Sequence, residues 1–157
     1  MDEEKTLEKA TSLALRYLSY RPRSESEVRC RLRRRFDEQV AESVIDRLKE
    51  LGLLDDEAFA HAWSQGRMSS RPRSAALIRR ELLARGVDKE TAEAEVSTLD
   101  DEESAYNAGL RPANRLSNAD YTAFRHRLWD YLHRRGYGRA IIGRTVGRLW
   151  EEREVGG

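Results

Sequence analysis

A four-residue phrase occurs twice in this chain, as Arg21-Pro22-Arg23-Ser24 and as Arg71-Pro72-Arg73-Ser74, fifty residues apart. Other residues keep that register. Leu32, Leu82 and Leu132 stand at steps of fifty, as do Arg35, Arg85 and Arg135, and Gly86 and Gly136 share the same step. Leu48, Leu99 and Leu149 close three stretches at steps of 51 and 50. A period of this size marks one supersecondary unit that gains core by stacking on its neighbours, so it restricts the fold before any single element is considered.

Each stretch reads as three helices. In the first, Leu7, Ala10, Ala14, Tyr17 and Leu18 share one helix face, which ends at Arg21-Pro22 because proline disfavours helix in the residue before it. Ser24 with Glu27 forms a capping box for a second helix whose apolar stripe is Val28, Leu32 and Phe36. Asp37 caps a third, with Val40, Val44, Leu48 and Leu51 recurring at three and four and Gly52 just past its end. The corner Leu53-Leu54-Asp55-Asp56 restarts a helix, with Asp55 as N-cap and Leu54 placed to staple against Phe59.

The second stretch repeats this grammar. Asp55 to about Met68 forms its first helix, with Phe59, Ala62 and Trp63 inward; Ser74 caps a helix bearing Ile78 and Leu82; Asp88 caps one bearing Ala92, Val96 and Leu99. The third is less regular: a short helix from Asp101 to about Leu110, a loop over Arg111 to Leu116, a helix capped by Ser117 with Tyr121, Phe124, Leu128 and Leu132, and a last helix with Ile142, Val146, Leu149 and Trp150. No segment alternates with period two, so strands are not expected. The expected fold is all-α: three tandem three-helix repeats over residues 1–54, 55–99 and 100–152, stacked as an elongated, curved array, with a frayed tail at 153–157.

Composition narrows the function. Charged residues make up 36% of the 157 and mean hydropathy is −0.80, which suits an array with much exposed surface. No apolar run approaches a membrane span, and the acidic start Met-Asp-Glu-Glu-Lys lacks the basic and apolar regions of a secretory signal, so a cytoplasmic location is expected. A single cysteine excludes an internal disulfide framework, and His61, His126 and His133 lack metal-ligand spacing. Asp55 and Asp56 are adjacent and diverge on a helix, which fits capping better than acid–base chemistry. Cys30, set among arginines, reads as a half-buried inert thiol. Neither GxGxxG nor GxxxxGK[ST] occurs. Neither metal nor cofactor is expected, nor an enzyme.

The net charge of +1 conceals a pattern. Of 29 basic residues only Lys5, Lys9, Lys49 and Lys89 are lysine; the other 25 are arginine. Residues 21–35 carry seven arginines and two acids, residues 37–57 eight acids and two bases, and 67–85 and 88–103 repeat the alternation. The candidate binding residues are Arg29, Arg33, Arg34 and Arg35, then Arg71, Arg73, Arg79 and Arg80, then Arg134, Arg135, Arg144 and Arg148. They would form a stepped track for phosphates or acidic protein surface. The competing explanation pairs each basic helix with the acidic helix after it, at about 0–1 kcal/mol per exposed pair. In the third stretch the last helix is itself basic and offers no acidic neighbour. Tyr20 and Tyr137, beside arginines near helix ends, are the candidate aromatic contacts.

Several runs carry a resemblance. Ala14-Leu15-Arg16-Tyr17-Leu18-Ser19, Arg23-Ser24, Glu27-Val28-Arg29 and Gly52-Leu53-Leu54-Asp55-Asp56 with Phe59-Ala60 resemble the RecX family of recombinase regulators, as do Arg79 to Gly86 and Tyr131 to Tyr137. The likeness spans about Leu7 to Glu152. It implies three tandem three-helix repeats and a regulatory activity: binding the RecA recombinase filament on single-stranded DNA, lodging in its groove, and suppressing ATP hydrolysis, strand exchange and filament growth, with direct DNA contact in some members. It supplies no catalytic or ligand set. A monomer is expected, since no long heptad run indicates a coiled coil. The alternatives are a helical nucleic-acid-binding protein acting on DNA without recombinase specificity, and an adaptor whose arginines are all spent internally.

Overall fold

The computed structural model describes residues 2–156, and every regular element among them is an α-helix. Nine follow in order: α1 (Asp2–Tyr20), α2 (Glu25–Arg33), α3 (Glu38–Glu50), α4 (Asp56–Ser70), α5 (Ala75–Ala84), α6 (Lys89–Val96), α7 (Asp101–Arg115), α8 (Tyr121–Arg134) and α9 (Arg139–Gly156). The chain divides into two compact units, one of residues up to Trp63 with Glu81–Glu93, the other of Ser64–Arg80 with Ala94 onward. Their boundaries fall inside α4, α5 and α6 and so cut across the stretches 1–54, 55–99 and 100–152.

In the first unit, α1, α2 and α3 close over Ala10, Ala14, Val28, Leu32, Ala41, Val44, Ile45, Leu48 and Leu54, all buried. Each large aliphatic side chain among them contributes about 1.5–3 kcal/mol when removed from water. The stripes read from the sequence are present but trimmed at their ends: Leu7 and Leu51 are exposed, and on α4 it is Ala60, not Ala62, that is buried beside Phe59.

The N-terminus of α2 is the mechanical centre of this unit. Ser24 Oγ accepts from Glu27 N at 3.1 Å while Glu27 Oε1 accepts from Ser24 N at 3.1 Å, completing the capping box. The same serine hydroxyl donates to Arg85 O at 2.6 Å, sixty-one residues away, and is fully buried. The next orphan donor, Glu25 N, is taken by Asp56 Oδ1 at 2.8 Å, while Asp55 Oδ1 receives Glu57 N and Ala58 N. The paired aspartates therefore divide the work: the first caps its own helix and the second caps α2. At the far side of the joint Gly86 has φ +84°, with Val87 N donating to Leu82 O and Gly86 N to Leu83 O. This is a left-handed helix end, and a Cβ on Gly86 would collide with the Ser26 side chain.

The second unit contains a related joint, with the serine's backbone N–H in place of its hydroxyl as donor to the carbonyl. Ser74 Oγ accepts from Leu77 N at 3.1 Å, Ser74 N donates to Arg135 O at 2.9 Å, and Asp101 Oδ1 accepts from Ala75 N at 2.9 Å. Gly136 has φ +91°, and a Cβ there would strike Ser74 Oγ. Around it α7, α8 and α9 bury Ala105, Ala108, Phe124, Leu128, Leu132, Tyr137, Ile142, Val146 and Leu149.

Three expectations fail in this unit. Residues 111–115 are not loop: α7 runs to Arg115 through Pro112. An interior proline forfeits the bond to the carbonyl four residues back, at about 3 kcal/mol. The small face of Ala105, Ala108, Gly109 and Ala113 offsets this by letting α7 lie close to α9, where a Cβ on Gly109 would come within 2.8 Å of Leu149 Cδ1. Because α7 is longer, Ser117 falls in the following turn and Asp120 caps α8, accepting from Ala123 N at 2.9 Å. Nor are residues 153–156 frayed. They continue α9, with Arg153 donating to Leu116 O at 3.0 Å and lying 4.4 Å over the Trp150 ring.

The three left-handed glycines separate the cost of conformation from the cost of contact. Gly52, φ +72°, has nothing within 4 Å of an added Cβ, so Gly52→Ala costs about 1–2 kcal/mol for the left-handed backbone alone. Gly86→Ala and Gly136→Ala add the displacement of Ser26 or Ser74, and each is expected to exceed Gly52→Ala by about 1–3 kcal/mol. Urea denaturation of the three variants checks this; equal losses would mean that the serine joints are not tightly packed.

Candidate partner-binding surface

The candidate arginines fall into internally committed and outward-facing groups. On α2, Arg29 is committed. Its Nε donates to Glu42 Oε2 at 2.9 Å and its Nη2 to Glu25 Oε1 at 3.0 Å, and Lys49 adds a 3.4 Å pair to Glu25. These bonds hold the Glu42 carboxyl below the usual range. The fork braces α2 against the acidic α3, the pairing anticipated by the charge alternation. Arg33 reaches Glu38 only at 3.9 Å, and the end of the helix is different again. Arg34 and Arg35 are exposed, and among the described residues no carboxylate lies within ion-pair distance of either.

Glu27 has no counterpart among the sequence candidates, yet it joins three parts of the first unit. Its carboxylate takes Arg21 Nη2 at 2.7 Å, Arg85 Nη1 at 3.4 Å and the backbone of Ser24. Burial raises its pKa, but the hydrogen bonds from Arg21 and Ser24 and the two guanidinium charges outweigh that and leave the group below its ordinary 4.5. Only its role in the capping box was legible locally; its link to Arg85 depends on chain closure. Arg85 also lies 4.8 Å over the Trp63 ring, whose Nε1 donates to Glu81.

In the second unit, Arg71 and Arg80 are exposed, while Arg73 and Arg79 are half-buried, Arg73 Nε donating to Arg71 O at 3.3 Å. Arg134 is exposed at the end of α8, and Arg135 folds back 4.2 Å over the Tyr131 ring. The basic last helix does have acidic neighbours, contrary to expectation. Arg144 pairs with Glu102 of α7, and Arg148 pairs with Glu152 at 3.2 Å while lying 3.6 Å over Tyr106, whose hydroxyl donates to Glu152. The acids come from the first helix of that group and from α9 itself, which linear spacing hides.

The aromatic and thiol expectations divide. Tyr20 is 75% exposed and available for contact, whereas Tyr137 is buried against Ser104, with burial pushing its hydroxyl pKa up to about 12. Tyr137 therefore belongs to the core. Cys30, expected half-buried, is exposed. Among the described residues no group of three or more His, Cys, Asp or Glu side chains is placed to hold a metal ion, and no helix is long and apolar enough to cross a membrane.

An all-helical chain with repeated serine–aspartate joints and outward arginines defines a class: a protein built of three-helix domains. Models of the first and second three-helix domains of RecX match residues 10–48 and 55–95. The chain is 33% identical over 150 residues to the regulatory protein RecX of Streptomyces lividans, covering 93% of this chain and 80% of that one. It is 32% identical over 143 residues to the protein of the same name from Chlorobium limicola, covering 90% of each. Its fold matches a crystal structure of RecX from Lactobacillus salivarius with a TM-score of 0.80 at 25% identity, over 93% of this chain and 97% of that one. The chain belongs to the RecX family.

The depressed pKa of Glu27 has a definite pH signature. Its contribution to stability is complete above the ordinary carboxylate value of 4.5 and is lost as pH falls through the lower folded value. Thermal unfolding of the native chain and of Glu27→Gln should differ by a constant amount from pH 7 down to about 5 and converge below it. A difference that does not change with pH would remove the carboxylate charge from the joint.

Proposed function

We propose that this protein is a negative regulator of RecA, acting in the cytoplasm as a monomer that binds the recombinase filament on single-stranded DNA and restrains ATP hydrolysis, strand exchange and filament growth. Membership of the RecX family across nearly the whole chain, with relatives named as regulatory proteins, supports this reading. The single structural observation that carries it is the exposed Arg34–Arg35 pair at the end of α2. It follows Arg29, which is held by Glu25 and Glu42, and among the described residues the pair has no carboxylate within ion-pair distance.

We also read the nine helices as three copies of one module. The third, α7 to α9, ends its middle helix with the same left-handed glycine as the second and meets the preceding serine through the same backbone carbonyl position. A repeated module offers a filament repeated contacts, and linked weak contacts combine into avidity. Electrostatic matching at exposed arginines sets orientation and association rate more than raw affinity.

Titration into RecA strand-exchange and ATPase assays tests the reading. Inhibition at protein levels well below recombinase, without comparable affinity for bare DNA, is expected. Replacing Arg34 and Arg35 together by glutamate should raise the concentration needed for half inhibition by about tenfold, with helicity unchanged because neither side chain supports the fold. Tight DNA binding with no effect on the recombinase would instead favour a direct nucleic-acid-binding protein, and neither effect would leave a structural adaptor.

A further inference from the structure

The first unit carries a second basic surface that the charge runs along the sequence do not reveal. Lys5, Lys9, Ser12 and Arg16 recur on α1 at intervals of four, three and four, one stripe on the helix about 16 Å long. That stripe and the turn after α2, where Arg35 and Phe36 lie, line an open groove of about 560 Å³ whose remaining walls are Glu8 and Leu13. Four cations thus face one carboxylate. Most other cations of this unit are committed: Arg21, Arg29, Arg33, Arg47, Lys49 and Arg85 each have a carboxylate within 4.0 Å. Lys5, Lys9, Arg16 and Arg35 have none among the described residues. The floor is apolar: Leu13 and Phe36 are half-buried, packed on the core of the unit and presenting their remaining surface to the groove.

We propose that this groove docks an acidic, amphipathic peptide segment of a partner protein, its carboxylates on Lys5, Lys9, Arg16 and Arg35 and an apolar side chain on Leu13 and Phe36. Lys5 and Lys9, about 6 Å apart at i and i+4, match carboxylates at the same spacing on a facing helix, and Arg16 two turns on extends the match. A cleft lined by one sign of charge over a low-dielectric floor strengthens that attraction. Single-stranded nucleic acid fits less well. Its tracks set aromatic faces beside the cations so that bases can stack, and the one ring here is half-committed to the core. The groove selects by chemistry alone, so the recombinase reading can fail while this site stands.

Fluorescence anisotropy with the full chain tests the site. The probe is a labelled peptide of glutamates and aspartates around a Leu–Phe pair, compared with the same peptide carrying glutamine and asparagine, and with a labelled oligothymidylate. The acidic peptide should bind in a salt-sensitive manner. Lys9→Glu combined with Arg16→Glu should weaken it by about tenfold, while Arg111→Glu, an exposed arginine of the other unit, should not. Circular dichroism confirms that the variants fold. Equal binding of the neutral peptide, equal loss with Arg111→Glu, preference for the oligothymidylate through the same residues, or no binding of the acidic peptide would each overturn the assignment.

Discussion

A buried serine at the start of a helix, bonded to the carbonyl just past the end of a helix sixty-one residues away, is the contact on which the rest of this structure depends. At Ser24 the hydroxyl is at once the cap of α2 and the donor to Arg85 O, so local helix formation and chain closure share one oxygen. The bond is short and shielded from water, and removing it would strand the Arg85 carbonyl, which costs more than the bond itself contributes. Nothing larger than hydrogen fits at the neighbouring Gly86 without moving Ser26. Ser74, Arg135 and Gly136 form the related joint of the second unit, where the serine's backbone N–H, not its hydroxyl, donates to the carbonyl. The compact units are therefore centred on the joints, and their edges run through helices rather than between them.

That geometry accounts for what could be read in advance. Helix starts and stops are local chemistry, so Ser24, Asp37, Asp55, Ser74 and Asp88 were legible as caps, and the fifty-residue register disclosed that a joint must recur. The second aspartate of each corner was only half legible. Asp56 and Asp101 each cap a helix from the preceding stretch. Pro112 misled because its penalty is local while its compensation, the close seat of Gly109 against Leu149, is tertiary. Tyr137 misled for the same reason. Its position beside arginines suggested a surface, and only the fold reveals Ser104 waiting for its hydroxyl in the core.

Charge is the other half of the design, and the structure sorts it by cost. An arginine that braces two helices is held by two carboxylates, as Arg29 is by Glu25 and Glu42, and such a fork is worth more than isolated exposed pairs because the acids are themselves fixed on helix faces. Glu27, largely buried, works harder still, since both of its guanidinium partners belong to segments the joint brings together. The alternation of basic and acidic runs is thus partly architecture, and counting arginines in a run overstates the surface available for binding.

What remains after that subtraction is the informative quantity. A binding surface can only be assembled from cations that the fold does not consume. In the first unit those cations gather where α1 passes the end of α2, and they include lysines of α1 that no run of like charge advertises. The turn that ends α2 supplies Arg34 and Arg35, five and six residues beyond the fork at Arg29. A single nine-residue helix therefore has a committed end and an available end. Its N-terminus is locked into the joint by Ser24, Asp56 and Glu27, whereas Arg34 and Arg35, just past its last turn, have no carboxylate partner among the described residues.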